Sequence, residues 1–244
     1  MFIKNPNLPQ YDVRGVLIDY RAEYIFEKFD KLGIKVFKTP KLNIAYRAVS
    51  GHPDMLFHHV NENSSFVSPE SYEYFTKLFP NENIISGNKK IKNTYPDDVA
   101  YNIARIDNFA ILNEKYSEEN ILEYYKKNGV KLINVKQGYS KCSVCIVSDN
   151  AIITSDKSIL KNAQLYGINA LLIRPGYVKL KDLPYGFIGG ASGLISKGIL
   201  AFNGNIKKHS DYKEIKDFCL KFNVKAMSLH DDELEDIGSI IPIY

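Results

Sequence analysis

Apolar and polar positions along the chain recur in five similar units. Each unit has a short helix with apolar residues on one face, a Gly, Asn or Pro at or just after the helix end, and a β-rich run beyond it. A further apolar strand is expected between successive helices. Periods of about 40–50 residues are typical of stacked supersecondary units, so the chain is expected to be a repeat architecture.

Capping residues predict where the five helices begin and end. Side-chain acceptors or prolines suit a helix start, and a residue that tolerates left-handed backbone suits the position after its end. The helices are predicted to begin at Ala22, Ser68, Ser117, Ser155 and Ser210 and to stop at Gly33, Pro80, Gly129, Gly167 and Asn223.

Short β-rich runs follow the helices, and further strands precede the next ones. The runs after the helices are residues 34–37, 84–85, 130–135, 168–173 and 224–229, and the further strands are residues 66–67, 109–112, 151–154 and 199–202. The fifth unit has only residues 240–243 for this second strand. The N-terminal strand at residues 16–18 is therefore expected to pair there and close a ring, which would leave no free sheet edge.

Composition favours one domain spanning residues 1–244. The chain has 244 residues with 45% hydrophobic content and no Pro/Ser/Gly-rich linker, which is enough to bury a large core. The net charge of +4 is spread over 60 charged residues. A nucleic-acid partner would require a clustered basic face, so none is expected.

Targeting and cysteine patterns predict a cytoplasmic protein. The N-terminus lacks the apolar core of a signal peptide, and no apolar run reaches 18 residues, so no membrane association is expected. Three cysteines cannot all pair with one another, and they suit a reducing compartment. No cofactor and no metal are expected, and the oligomeric state is left open.

Gly51-His52-Pro53-Asp54 is the first candidate for chemistry. In an extended segment, His52 and Asp54 would lie on one face, as a general acid/base beside a carboxylate that binds a cation. The alternative is a simple turn, because Gly, Pro and Asp all favour turns.

The second candidate is Cys142, which follows Gly138 and is next to Lys141. Residues 143–147 are predicted to form a strand with Cys142 at its start, where a neighbouring lysine could lower the pKa of the thiol and make it a nucleophile. Cys145 completes a Cys-x-x-Cys spacing, but no second pair of zinc ligands is present. The alternative for either cysteine is a small buried apolar residue.

Two further segments could bind a substrate. The acidic segment at residues 230–236 is predicted to be a turn at the same end of its unit as His52, so Asp231, Asp232 or Glu233 could contribute a carboxylate; the alternative is a solvated charge run. Arg174 could hold a substrate carboxylate. The glycine-rich residues 186–193 lack a phosphate-loop lysine and are expected to serve close backbone packing.

The repeats and the two motifs resemble the pentein fold of guanidino-group-modifying enzymes, which includes arginine and agmatine deiminases, dimethylarginine dimethylaminohydrolase and amidinotransferases. The Gly51–Asp54 segment resembles their Gly-His-x-Asp motif, and the segment from Gly138 to Val144 resembles their nucleophile motif. The resemblance implies an α/β propeller of five pseudo-symmetric units with the active site in a central pit.

In that family, a cysteine attacks the guanidinium carbon, a histidine moves protons and carboxylates hold the nitrogens. The resemblance implies that Cys142, His52 and Asp54 are catalytic, and that Asp231, Asp232 and Glu233 supply the further carboxylate from the fifth unit. It implies a small guanidino compound as substrate for a hydrolase or amidinotransferase. The alternative is a catalytically silent binding protein of the same fold, because only Gly138 stands where the family has a Gly-Gly element.

Overall fold

A computed structural model describes residues 1–42 and 46–244 of the chain. It is a mixed α/β structure in which short helices alternate with short strands. The α-helices are α1 (Phe26–Lys31), α2 (Pro53–Leu56), α3 (Tyr72–Leu78), α4 (Glu119–Lys127), α5 (Ser140–Ser143), α6 (Lys157–Leu165) and α7 (Tyr212–Lys221). Single 3-10 turns at Glu23–Ile25 and Pro69–Ser71 extend α1 and α3 at their N-terminal ends.

The strands are short and follow one another closely along the chain. They are β1 (Gly15–Ile18), β2 (Lys35–Lys38), β3 (Phe57–Asn61), β4 (Ser64–Val67), β5 (Asn83–Ser86), β6 (Ala104–Ile106), β7 (Phe109–Leu112), β8 (Lys131–Asn134), β9 (Cys145–Ser148), β10 (Ala151–Thr154), β11 (Asn169–Leu172), β12 (Val178–Lys179), β13 (Ser192–Ser196), β14 (Ile199–Phe202), β15 (Lys225–Ser228), β16 (Leu234–Glu235) and β17 (Ile241–Pro242).

Within the described residues, these strands form five three-stranded sheets of the same topology. Their orders are β17-β1-β2, β3-β4-β5, β6-β7-β8, β9-β10-β11 and β13-β14-β15. In each, the central strand pairs antiparallel with the first-named strand and parallel with the last. The two parallel strands are joined by a crossover that contains a helix, as parallel pairing requires. A separate parallel pair joins β12 to β16.

Backbone geometry confirms the predicted helix stops. Gly33, Gly129 and Gly167 follow α1, α4 and α6 with φ of +71°, +70° and +78°, and Asn223 follows α7 with φ of +58°. Left-handed backbone is the conformation for which Gly and Asn are selected after a helix. The local signals therefore placed these ends correctly.

The predicted pairing of the N-terminal strand is also confirmed. Val16 lies opposite Pro242, and Leu17 lies opposite Ile241, in an antiparallel ladder between β1 and β17. The first sheet is thus built from both ends of the described chain. Because β1 is covered by β17 on one side and by β2 on the other, its backbone groups are paired with protein rather than with solvent.

Two expectations about local structure were wrong. His52 and Asp54 do not share an extended segment, because Pro53 occupies the first helical position of α2 and fixes a helical turn there. Cys142 does not begin a strand either, since it lies in the helical turn α5 and β9 starts only at Cys145. Both motifs are one-turn helices directly before the first strand of a sheet.

The core consists of apolar residues packed between helices and sheets. The inward face of α4 carries Ile121, Leu122 and Tyr125, and α6 buries Ile159 and Ala163 in the same way. Among the described residues, no helix is both long and apolar enough to cross a membrane.

Candidate active site

The structure brings Cys142, His52 and Asp54 together. Each offers one polar side-chain atom, and these three atoms lie within 4.8 Å of one another. The Cys142 thiol donates to Asp54 Oδ2 at 3.0 Å. All three side chains are almost completely buried. The two sequence motifs therefore form one constellation, although 88 residues separate Asp54 from Cys142.

The repeated topology explains why these residues meet. Asp54 lies three residues before β3, and Cys142 lies three residues before β9, so they occupy equivalent positions in two units. The corresponding segments of the other three units contact them. Asn102 precedes β6, Gly189 and Gly190 precede β13, and Ser239 precedes β17.

Asn102 fixes the helical turn that carries Cys142. Its Oδ1 accepts hydrogen bonds from the backbone N–H groups of Lys141 at 2.7 Å and Cys142 at 3.3 Å. Its Nδ2 lies 3.2 Å from Cys142 Sγ and 3.3 Å from Met55 Sδ. One buried amide thus orients the nucleophile candidate and presents an N–H to its sulfur, which favours a thiolate.

A buried polar relay connects Lys141 to Asp54. Lys141 Nζ donates to Ser239 Oγ at 2.9 Å, and Ser239 Oγ lies 3.0 Å from both Asp54 Oδ2 and the Gly189 carbonyl oxygen. The side chains of Lys141 and Ser239 are buried. The ammonium therefore faces the carboxyl group that accepts the thiol hydrogen bond.

Asp236 is the second carboxylate of the site. Its Oδ2 accepts from the Phe187 N–H at 2.9 Å, and its Oδ1 accepts from the Gly238 N–H at 3.0 Å. Asp236 Oδ1 is also 3.8 Å from His52 Nδ1. Asp236 is buried, so this carboxylate is held by backbone donors beside the imidazole.

Glycines allow the segments to approach this closely. A Cβ at Gly190 would overlap the Asp236 carboxylate, and a Cβ at Gly238, where φ is +71°, would overlap the His52 side chain. A Cβ at Gly189 would collide with the carbonyl groups of Lys141 and Val144. The expectation that the glycine-rich residues 186–193 serve close packing is confirmed.

A second layer holds the loop before His52. The Arg21 guanidinium binds the buried Asp19 carboxylate through Nε at 2.9 and 3.0 Å, and it also donates to the carbonyl oxygens of Arg47 and Ala48. A Cβ at Gly51 would overlap the Asp19 carboxylate, which explains a glycine immediately before His52. This contact fixes where the loop enters α2.

Burial dominates the electrostatics of the site. It raises the pKa of the Asp54 carboxyl to about 6, although Lys141 acts in the opposite direction. Burial lowers the pKa of Lys141 and of His52, and it raises the pKa of Asp236. Burial and the adjacent Asp54 carboxylate raise the pKa of the Cys142 thiol well above its usual value.

The expectation that Lys141 lowers the pKa of the Cys142 thiol is therefore wrong for the free protein. The lysine directs its ammonium to Ser239, and the thiol meets a carboxylate instead. In this state the thiol is protonated and donates to Asp54. A thiolate at Cys142 requires added positive charge in the site or transfer of the proton to a neighbouring base.

Several polar atoms of the site have no hydrogen-bond partner. Among the described residues, both ring nitrogens of His52 and Oδ1 of Asp54 are buried and unpaired. Buried polar groups are nearly always paired in folded proteins, and an unpaired one costs about 1–3 kcal/mol. Because His52 lines a pocket, a ligand that enters this pocket can pair with its ring nitrogens.

A pocket of about 260 Å³ opens onto His52, Cys142 and Asp236, whereas Asp54 is not among its lining residues and contacts the site through the Cys142 thiol. Its polar lining comes mainly from His52, Cys142 and Asp236. Tyr139 also lines it, with its hydroxyl donating to Asp98 at 2.6 Å. The remaining lining residues are apolar or aromatic: Val49, Leu180, Leu183, Pro184, Tyr185 and Phe187. Of the three cysteines, Cys142 is the one that lines this pocket.

The other sequence candidates lie elsewhere. Asp231, Asp232 and Glu233 are exposed and are not among the residues that line the pocket, and Glu233 pairs with Lys179. The Arg174 guanidinium is on the surface and pairs with Asp211. Their proposed role in substrate binding remains a prediction that this placement does not support, because the acids form a solvated turn.

Sequence reasoning also missed residues that the structure places at the site. Asp236 stands only three residues beyond Glu233 and precedes the turn at Gly238, so its position just before the last strand was a usable signal. Asn102 and Ser239 offered none, since both are common residue types in segments without a motif.

The side-chain atoms of this site are also of the types that bind metal ions. A thiolate, an imidazole and a carboxylate are ligands that zinc accepts, and a catalytic zinc site keeps its fourth position open. His52, Asp54 and Cys142 have suitable atoms and proximity. Lys141, however, places an ammonium in the same buried network, and its positive charge opposes a divalent cation there.

Comparison with solved structures shows what the fold is similar to. An inosamine-phosphate amidinotransferase from Streptomyces griseus superposes with a TM-score of 0.58 at 9% identity, covering 100% of this chain and 96% of that one. An agmatine deiminase from C. jejuni gives a TM-score of 0.56 at 9% identity, covering 94% of this chain and 90% of that one. A dimethylarginine dimethylaminohydrolase gives a TM-score of 0.55 at 7% identity, and the superposition covers 88% of this chain and 92% of that one.

At such low identity these similarities show the fold alone, which is that of the pentein-fold guanidino-modifying enzymes. Among curated protein sequences, none matches this chain. A family model described as a family of unknown function, DUF6873, matches residues 17–241. The match spans all five sheets and both motifs of the site, and the chain belongs to this family.

Proposed function

We propose that the protein is a cysteine-dependent enzyme that modifies the guanidino group of a small molecule by hydrolysis or amidino transfer. One observation carries the proposal. Cys142 and His52 line one pocket, and the Cys142 thiol is hydrogen-bonded to Asp54. Among the described residues, both His52 ring nitrogens and Asp54 Oδ1 are buried without partners.

A guanidinium ion would supply hydrogen-bond donors and a positive charge to this site. It is a planar cation with N–H donors on every side, and carboxylates bind such a fork through charge-assisted pairs of hydrogen bonds. Asp236 is the carboxylate of the pocket lining, and Asp54, which accepts the thiol hydrogen bond of Cys142, has an unpaired Oδ1 among the described residues. Protein donors to Asp236 are backbone N–H groups, so its charge is not cancelled by an adjacent lysine or arginine hydrogen bond.

The arriving cation also activates the thiol. A positive charge beside Cys142 lowers the free energy of its thiolate, and the thiol proton passes to His52 or Asp54. The thiolate forms a C–S bond to the guanidinium carbon, and a nitrogen leaves after accepting a proton from His52. Water, or an acceptor amine, then adds to that carbon, and the C–S bond breaks to return the thiolate.

We further propose that the five sheets surround a pseudo-fivefold axis, with the site in the central pit. Each sheet has a segment directly before its first-named strand, and contacts among these five segments support this arrangement. The pairing of β1 with β17 also supports it. A catalytically silent binding protein is less consistent with the site, because ligand binding alone does not require a cysteine thiol that is hydrogen-bonded to a carboxylate.

The test is a turnover screen with arginine, agmatine, methylated arginines and simple alkylguanidines. Release of ammonia, amine or urea derivatives is measured by mass spectrometry, with and without an acceptor amine and with and without a chelator. Cys142→Ala should abolish turnover, and His52→Ala should lower kcat by about 10²–10⁴-fold. Cys219→Ala, on the buried face of α7, is the matched control. Turnover that survives in Cys142→Ala, or no turnover of any guanidine, would refute the proposal.

A further inference from the structure

The pocket wall above Cys142 is apolar. Leu183 and Tyr185 are 40% and 44% exposed although they are large apolar or aromatic side chains, and both line the pocket. Leu180 and Phe187 continue this surface inward. An open apolar wall that ends at a buried polar cluster fits a ligand with one polar and one apolar end.

Positive charge is missing from this wall. Among the described lining residues there is no Lys or Arg, and Asp236 is the acidic side chain. Three basic residues near the lining segments in sequence, Arg47, Lys179 and Lys181, are on the surface and are not lining residues. Arg47 pairs with Asp182, and Lys179 pairs with Glu233. The wall therefore has no described group that would neutralise a carboxylate on the substrate, and burying an unpaired charge is costly.

The pocket is also small. About 260 Å³ lies just below the range of about 300–1,000 Å³ that is usual for drug-sized ligands. A guanidinium group and a chain of a few carbon atoms fill such a space. A substituent with charged groups at its far end would place them against Leu183 and Tyr185.

We propose that the substrate is a guanidine with a short, uncharged alkyl or arylalkyl substituent rather than a free amino acid, which rests on the proposed function of the site. The guanidinium binds at Asp236 and His52 beside Cys142, whose thiol donates to Asp54, and the substituent lies against Leu180, Tyr185 and Phe187. In hydrolysis, water adds to the guanidinium carbon and ammonia leaves, so that the product is the alkylurea.

Four guanidines that share the same carbon chain but carry different end groups test this substrate preference. The probes are n-butylguanidine, agmatine with its added amine, 5-guanidinopentanoic acid with an added carboxylate, and arginine with both. We expect kcat/KM for n-butylguanidine to exceed that for each charged probe by about 100-fold or more, because the added charges would lie against apolar side chains and lose part of their hydration without gaining a partner. Calorimetric binding to the Cys142→Ala variant measures the same preference without turnover.

Leu183→Asp places a carboxylate on the wall and should shift selectivity toward agmatine by about tenfold or more. The matched control is Leu165→Asp on α6, where Leu165 is 73% exposed and outside the pocket lining. That control should leave the order of the four probes unchanged.

The outcomes separate the two proposals. Turnover of agmatine, arginine or 5-guanidinopentanoic acid by the wild-type protein as fast as n-butylguanidine would overturn the inference and leave the enzymatic function standing. Faster turnover of an arginine side chain within a blocked peptide would also overturn it. Preferred binding of n-butylguanidine without turnover of any probe would support the inference and overturn the enzymatic function. Neither binding nor turnover of any probe would overturn both.

Discussion

Replacing Lys141 by Met should raise the pKa of the Asp54 carboxyl, because it removes the buried cation that faces this group. Lys141 Nζ is 2.9 Å from Ser239 Oγ, which is 3.0 Å from Asp54 Oδ2. The two charges are thus at most about 6 Å apart, and at an effective dielectric constant of about 20 their attraction is about 3 kcal/mol. This energy corresponds to an Asp54 pKa near ~8, compared with about 6 in the intact protein.

The consequence for activity follows from the fraction of Asp54 that is ionised. At pH 7, a group with a pKa of about 6 is about nine-tenths ionised, whereas one with a pKa near ~8 is about one-tenth ionised. If the carboxylate binds the guanidinium, kcat/KM at pH 7 should fall about tenfold and recover toward pH 9.

The pKa can be measured without assuming any activity. Protein labelled with ¹³C at the aspartate carboxyl carbon gives a titration curve by NMR, and Asp54→Asn identifies the Asp54 signal. Lys141→Arg keeps the positive charge and should titrate near the wild-type midpoint, although its larger head group must fit the same space. Lys161→Met, at an exposed position of α6, controls for loss of a surface charge.

An unchanged titration midpoint would contradict this coupling between Lys141 and Asp54. If Lys141→Met remains folded and Asp54 still titrates near pH 6, the relay through Ser239 does not couple the two groups. Circular dichroism and thermal denaturation establish that the variant is folded.

Stability, packing and thiol reactivity can be tested on the same site. Burial raises the pKa of Asp54 from 3.8 to about 6, so the folded state holds this proton more tightly than the unfolded state. Between pH 3.5 and 6.5, the free energy of unfolding of the wild type should therefore fall by about 3 kcal/mol relative to that of Asp54→Asn, as measured by urea denaturation. The same pH dependence of the unfolding free energy in both proteins would contradict this. Gly238→Ala should cost about 1–3 kcal/mol and lower kcat, because the new methyl group displaces His52. Gly129→Ala, also at positive φ but in open space, should cost about 1 kcal/mol and leave kcat unchanged. Iodoacetamide should label Cys142 before Cys145, because Cys142 lines the pocket. The labelling should be slow at pH 7 and faster with rising pH, because the pKa of the Cys142 thiol is raised. Peptide mapping that finds Cys145 labelled first would contradict this.

Local signals predicted most of the regular structure. Gly33 and Asn223 ended helices where backbone of positive φ was needed, and such signals depend only on neighbouring residues. The helical turn at His52 was missed although Pro53 is a normal first helical residue, because the turn-forming composition of Gly51 to Asp54 was given more weight.

The candidate site was only partly predictable. His52, Asp54 and Cys142 stand in recognisable motifs, and their proximity followed from equivalent positions in repeated units. Asn102 and Ser239 belong to the site through contacts with residues far along the chain, and neither has a local pattern that distinguishes it from an ordinary turn residue. The pKa of Cys142 could not be predicted from Lys141, because the direction of the lysine side chain is set by Ser239.

The pairing of β1 with β17 has a consequence for biosynthesis. While the chain is being made, β1 emerges early and its partner emerges only after the four intervening sheets, so one edge of the first sheet stays uncovered throughout. Ser239 and Asp236 are made in the same late segment as β17. The Cys142 thiol of a nascent chain therefore lacks Asp236 and the Ser239 relay. The complete candidate site forms only when the ribosome has delivered the segment that also pairs with β1.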